Sequence, residues 1–151
     1  MRKNCKGGIF QWLGKITGRL KSEIFTTVKA KAMPILQEQF PETDFSESFT
    51  NVKGSLDKAV FPTIYIHELP GVQKGQTLDA VGIDAVLESF QVDVITNTSQ
   101  GDTKKILGII LNVFSMLRFS VTAMPEFNNE SEKKFRCTGR VRRLIGASDS
   151  L

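Results

Sequence analysis

The chain has 151 residues, 20 Lys+Arg against 16 Asp+Glu, and 40 % apolar residues, the make-up of one soluble domain that folds without a disulfide or metal staple. No apolar run approaches the ~20 residues of a bilayer span, and the broken patch 9–13 behind Arg2 and Lys3 is no signal-peptide core, so neither membrane spanning nor secretion is expected. The formal charge of +4 is unevenly placed. Residues 1–22 carry six bases and no acid, residues 23–132 sum to −7, and residues 133–151 to +5. An acidic body between two basic ends suits contacts with charged partners at defined places; the plainer alternative is a solvated arm and an exposed strand face.

In chain order, GGIFQWLGKITG has Ile9, Leu13, Ile16 and Leu20 at helical spacing, weakened at Gly14 and Gly18. Residues 1–18 therefore read as a basic arm or short amphipathic helix, and the domain proper as 19–146. Leu20, Ile24, Phe25, Val28, Ala32 and Leu36 predict an amphipathic helix from Arg19 to about Phe40, kinked or ended by Pro34 and limited by Pro41. Residues 42–60 read as loop with one short strand at 48–53. FPTIYIHEL, 61–69, is apolar on both parities and predicts a well-covered strand, closed by Pro70 and Gly71, with a turn or loop at 71–75.

Residues 85–98 alternate, Val86, Phe90, Val92 and Val94 against Ser89, Gln91 and Asp93, a half-buried strand. Asp102 is placed to cap the next helix, 103–117. That helix has an apolar arc of about 220° at 100° per residue, wider than one sheet face requires. Either the 20–40 helix covers the excess, or Leu107, Leu111 and Phe114 form a subunit interface. Strands follow at 119–124 and 133–145, separated by a polar loop at 125–132, and the tail 147–151 should be flexible. In the last strand Phe135, Cys137, Gly139 and Val141 share one parity, while Arg136, Thr138, Arg140 and Arg142 share the other. The three arginines thus make a charged face away from the core. The fold class expected is α+β, a single domain with a mixed, mostly antiparallel sheet packed against two main helices.

Catalytic and cofactor motifs fail on inspection. Gly8, Gly14, Lys15 and Thr17 have the wrong spacing for a phosphate loop, and no strand precedes them. His67 is the only histidine, so no multi-histidine metal site or Ser-His-Asp hydrolase is supported, and the plain reading is a structural histidine. Asp79, Asp84, Glu88 and Asp93 are too scattered for a calcium loop and read as solvated acids. Cys5 and Cys137 are not a close pair, and Cys137 lies on an apolar parity. No enzyme, cofactor or metal is expected. Arg136, Arg140 and Arg142 can face phosphates or carboxylates, or can protect an edge strand from aggregation. The face lacks aromatics for base stacking, so any nucleic-acid contact would be to the backbone and salt-sensitive.

FPTIYIHEL with its glycine-bearing loop, ESFQVDVITN followed by KKILGIILNVFSMLRF, and the closing KKFRCTGRVRRLIG together resemble the tail terminator, or tail completion, proteins of long-tailed bacteriophages over roughly residues 61–146. The resemblance implies a non-enzymatic virion protein, assembled in the host cytoplasm, that forms a hexameric ring on the tail tube. Such a ring ends tube polymerisation and joins the tail to the head-neck connector. It implies partners in further copies of the chain, the tube protein and connector proteins, and non-specific contact of lumenal arginines with DNA. Two other readings remain open: a head-completion or other neck component, and a basic nucleic-acid-binding module.

Overall fold

The structure, a computed structural model, describes residues 6–52, 60–76, 83–128 and 133–146, with side chains at 22–52, 60–69, 87–123, 125–128 and 133–145. Two helices, α1 (Lys6–Gln39) and α2 (Gln100–Met116), accompany strands β1 (Phe49–Thr50), β2 (Thr63–Gln76), β3 (Ile83–Thr96), β4 (Ser120–Phe127) and β5 (Phe135–Gly146). The sheet order is β1-β2-β3-β5-β4, antiparallel except for the parallel β1–β2 pair. This is the single α+β domain expected, with both helices packed against a mixed, mostly antiparallel sheet.

α1 differs most from expectation. It passes through Gly14 and Gly18 without a break, so residues 6–18 form the first part of one 34-residue helix, and residues 1–5 lie outside the described part. Pro34 neither ends the helix nor enters the core; it sits on an exposed position while Ile24, Val28, Ala32 and Leu36 are fully buried. Burial of that stripe outweighs the hydrogen bond lost at proline. The predicted strand at 48–53 shrinks to Phe49–Thr50, paired with Ile64 and Tyr65.

β2 does not stop at Pro70 and Gly71. It runs to Gln76, and the register shift between Leu69 and Val72 accommodates the proline, which has no N–H to give to a ladder. The loop expected at 71–75 is therefore strand. Pro125 likewise lies inside β4 at a second irregularity, tolerated because β4 is an edge strand. The expected tail 147–151 and Asp79 lie outside the described residues.

One sheet face carries Ile64, Ile66, Phe90, Val92, Val94, Cys137 and Val141, all buried, and α2 lies over β3, β5 and β4 on that side with α1 beside it. Phe90, Phe114 and Phe119 meet with ring centroids 5.2–6.0 Å apart. At Gly139 an added Cβ would stand 3.2 Å from a Leu111 methyl, so glycine sets how closely β5 approaches α2. The wide apolar arc of α2 is thereby covered from within the chain. Leu107 and Phe114 are fully buried and Leu111 is buried, which removes the three residues expected at a subunit interface; α1 and the sheet occupy the surface a neighbour would have needed.

α2 is capped by Ser99, not Asp102: the Ser99 Oγ accepts the Asp102 backbone N–H at 3.1 Å, and the Asp102 carboxylate accepts from Thr98 Oγ1 at 2.9 Å. The helix starts earlier than predicted because the serine supplies the cap and the acid falls in the first turn, where it opposes the positive helix end. Its C-terminus closes with Phe119 N–H on Phe114 O and Arg118 N–H on Ser115 O, placing Arg118 at φ 66°.

Candidate charged face

Pairing across the sheet aligns side chains on the face opposite α2. One row reads Tyr65, Asp93, Thr138 and Glu126; the next reads His67, Gln91, Arg140 and Ala123; Ile95 and Arg136 follow on one side of these, and Ser89, Arg142 and Ser120 on the other. The parity read from the sequence for Arg136, Arg140 and Arg142 holds, since these alternate with buried Cys137, Gly139 and Val141. Their environments differ, however. Arg140 and Arg142 are exposed, whereas Arg136 is half-buried, with Nη2 3.3 Å from Asp93 Oδ2.

Asp93 organises this face. Its side chain is 1 % exposed although it points away from the helices, because larger polar side chains ring it. Thr138 Oγ1 donates to Oδ1 at 2.5 Å, Gln91 Nε2 donates to Oδ2 at 3.2 Å, and His67 Nε2 stands 3.5 Å from Oδ2. A carboxylate so enclosed is stable only when its lone pairs are used, and four side chains surround it here. His67 is itself fixed from above by Tyr65, stacked at 4.5 Å and 17°. Gln91 turns its carbonyl oxygen to accept from Arg140 Nε at 3.0 Å, so the amide links the buried acid to an exposed guanidinium.

The reading of the acids as solvated is thus corrected for Asp93, and also for Glu88, which is 2 % exposed. Glu88 lies directly opposite Arg143, which the sequence grouped with the basic end but which is buried on the helix side, its Nη1 donating to Leu117 O at 3.2 Å. Arg143 has the parity of Val141, the one signal in the sequence that could have placed it inward; the acid opposite it and the Leu117 carbonyl suit a cation at that position. The signal for Asp93 was weaker, because its partners come from β2 and β5 and only the register brings them together.

The face therefore offers two exposed cations, Arg140, held by Gln91, and Arg142, beside a neutralised Arg136–Asp93 pair. Such a surface can take phosphates or carboxylates through planar, charge-assisted hydrogen bonds. Among the described residues no group of three His, Cys, Asp or Glu is placed to hold a metal ion, and no helix is long and apolar enough to cross a membrane. Compared with known proteins, the chain matches no family model and no curated protein sequence.

Proposed function

We propose that this protein is a non-enzymatic structural component of a long-tailed phage particle, a tail-terminator-type subunit that forms a hexameric ring on the tail tube, ends its polymerisation and presents a surface to the head-neck connector. Its place is the virion, at the junction of tail and neck. The observation that supports this most is the exposed pair Arg140 and Arg142 on the sheet face opposite the helices, in a domain whose strand–strand–helix–strand–strand order resembles that family. In a ring around a DNA path, two such cations per subunit would meet phosphates without reading sequence. Arg136 adds little to that contact, since Asp93 already neutralises it.

Purified protein mixed with tail tubes tests the reading in electron micrographs. Rings of one subunit number at one tube end, with tube length no longer growing, are expected; tubes that stay uncapped and lengthen would refute it. A ring found only on filled heads would favour the head-completion alternative. The exposed Lys133, Lys134, Arg140 and Arg142 favour a second reading, a basic nucleic-acid-binding module. Tight, salt-dependent DNA binding by the isolated monomer would support that reading over the first.

A further inference from the structure

The charged face draws its bases from β5, and where α1 ends and α2 begins lies a surface of opposite character. A cleft of about 310 Å³ opens between the end of α1 and the start of α2, with Phe40, Phe61 and Ile106 giving it apolar walls and Glu42, Asp44 and Asp102 an acidic rim. The Asp44 carboxylate accepts the Ser46 backbone N–H at 2.9 Å, and that bond holds its pKa below the ordinary value, keeping the rim charged. One wall already accepts an ammonium: Lys134 Nζ lies 6.0 Å from the Phe61 ring centroid. Even with Lys134 counted against the three carboxylates, the cleft is net acidic.

The cleft has the size and chemistry for one or two side chains with apolar stems and cationic heads. Arg2 and Lys3 have that chemistry, in a block of six bases without an acid. They cannot reach the cleft of their own chain. Phe40, at its wall, follows the C-terminal end of α1, and 34 helical residues put that end about 50 Å from Lys6, while residues 1–5 span at most about 18 Å fully extended. Any contact between the two is between molecules.

We propose that this cleft receives the basic N-terminal segment, Arg2 and Lys3, of a second copy of the chain. The contact joins two different surfaces, so it is heterologous: each molecule offers both a segment and a cleft, and association proceeds head to tail into a closed ring or an open chain. It replaces the interface that burial of Leu107, Leu111 and Phe114 removes. The contact does not depend on the phage reading, since capping of tail tubes and self-association of the free protein are separate measurements.

Two experiments on the full chain test it. Thr43 lines the cleft and Cys5 lies in the basic segment, so oxidised Thr43→Cys protein should give disulfide-linked dimers or larger species, lost when Cys5→Ser is added. No cross-linked species, or species that persist without Cys5, would overturn the proposal. Sedimentation should show self-association of the parent protein weakened at least ~10-fold by Glu42→Lys with Asp44→Lys, and equally by Arg2→Glu with Lys3→Glu. Combining the four changes should restore it to within ~3-fold. Glu42 and Asp44 are exposed, and unchanged circular dichroism of each variant confirms that the fold is intact. A parent protein that stays monomeric, or reversals that neither weaken nor rescue, would equally overturn the proposal.

Discussion

Replacing Asp93 by alanine removes the group on which Thr138, Gln91, His67 and Arg136 converge. Removing one partner of a fully buried ion pair costs about 3–5 kcal/mol, chiefly because the other charge is left uncompensated. Here the Arg136 side chain keeps 26 % exposure and can turn toward water, which lowers the expected loss to about 2–3 kcal/mol. For a chain of this length that is a fall in Tm of about 5–10 °C. Arg136→Ala in the Asp93→Ala background should then cost less than it does alone, because the Asp93–Arg136 contact is already broken. The same change should alter the surface: with Asp93 gone, that carboxylate no longer offsets Arg136, and the slope of log K against log salt for duplex DNA should steepen by up to about 0.9. Thermal melting by circular dichroism and a salt titration of DNA binding measure both. Strictly additive losses for Asp93→Ala and Arg136→Ala, or a Tm unchanged within about 1 °C, would refute the view that Asp93 organises this face.

Other changes separate core from surface. Phe114→Ala should cost about 3–5 kcal/mol through the cavity left among Phe90, Phe119 and α1, and Leu111→Glu should prevent folding rather than merely dissociate subunits; a folded, monomeric Leu111→Glu protein would show that the helix is an interface after all. Arg118→Gly, at φ 66°, should stabilise by about 0.5–1 kcal/mol, read as a higher denaturant midpoint, since glycine adopts the left-handed conformation without the Cβ penalty. Burial pushes the Cys137 thiol pKa up, with nearby Lys104 and the Thr138 backbone N–H pulling it partly back. A thiol that ionises more readily when unfolded favours the native state below its ordinary value of 9.0 and loses that contribution as pH rises above it. The parent protein should therefore lose more stability between pH 8 and 10 than Cys137→Ala, and the thiol should react with alkylating reagents only in denaturant.

Much of the architecture was legible because its signals are local. The stripe Ile24, Val28, Ala32, Leu36, the alternation of Phe90, Val92 and Val94, and the parity of Cys137 and Val141 each follow from the period of one element, and all are buried as their patterns demand. Boundaries failed where local chemistry conflicts with pairing. Gly14, Gly18, Pro34, Pro70 and Pro125 look like stops, yet each lies inside an element, because a neighbouring stripe or strand supplies more free energy than the local preference costs.

The sequence by itself determined the α+β class, which strand faces are apolar, and that Arg136, Arg140 and Arg142 share a side; periodicity suffices for these because side-chain direction is set residue by residue along an element. Only the tertiary structure decided that α2 spends its wide apolar arc on α1 and the sheet, that Asp93 is enclosed and cancels Arg136, and that Glu88 faces Arg143 across β3 and β5. Each of these depends on register and on which elements touch. A one-residue slip of β5 against β3 would leave every pattern in the sequence intact and carry Arg136 away from Asp93, so the charge a partner meets on this face is a property of the pairing.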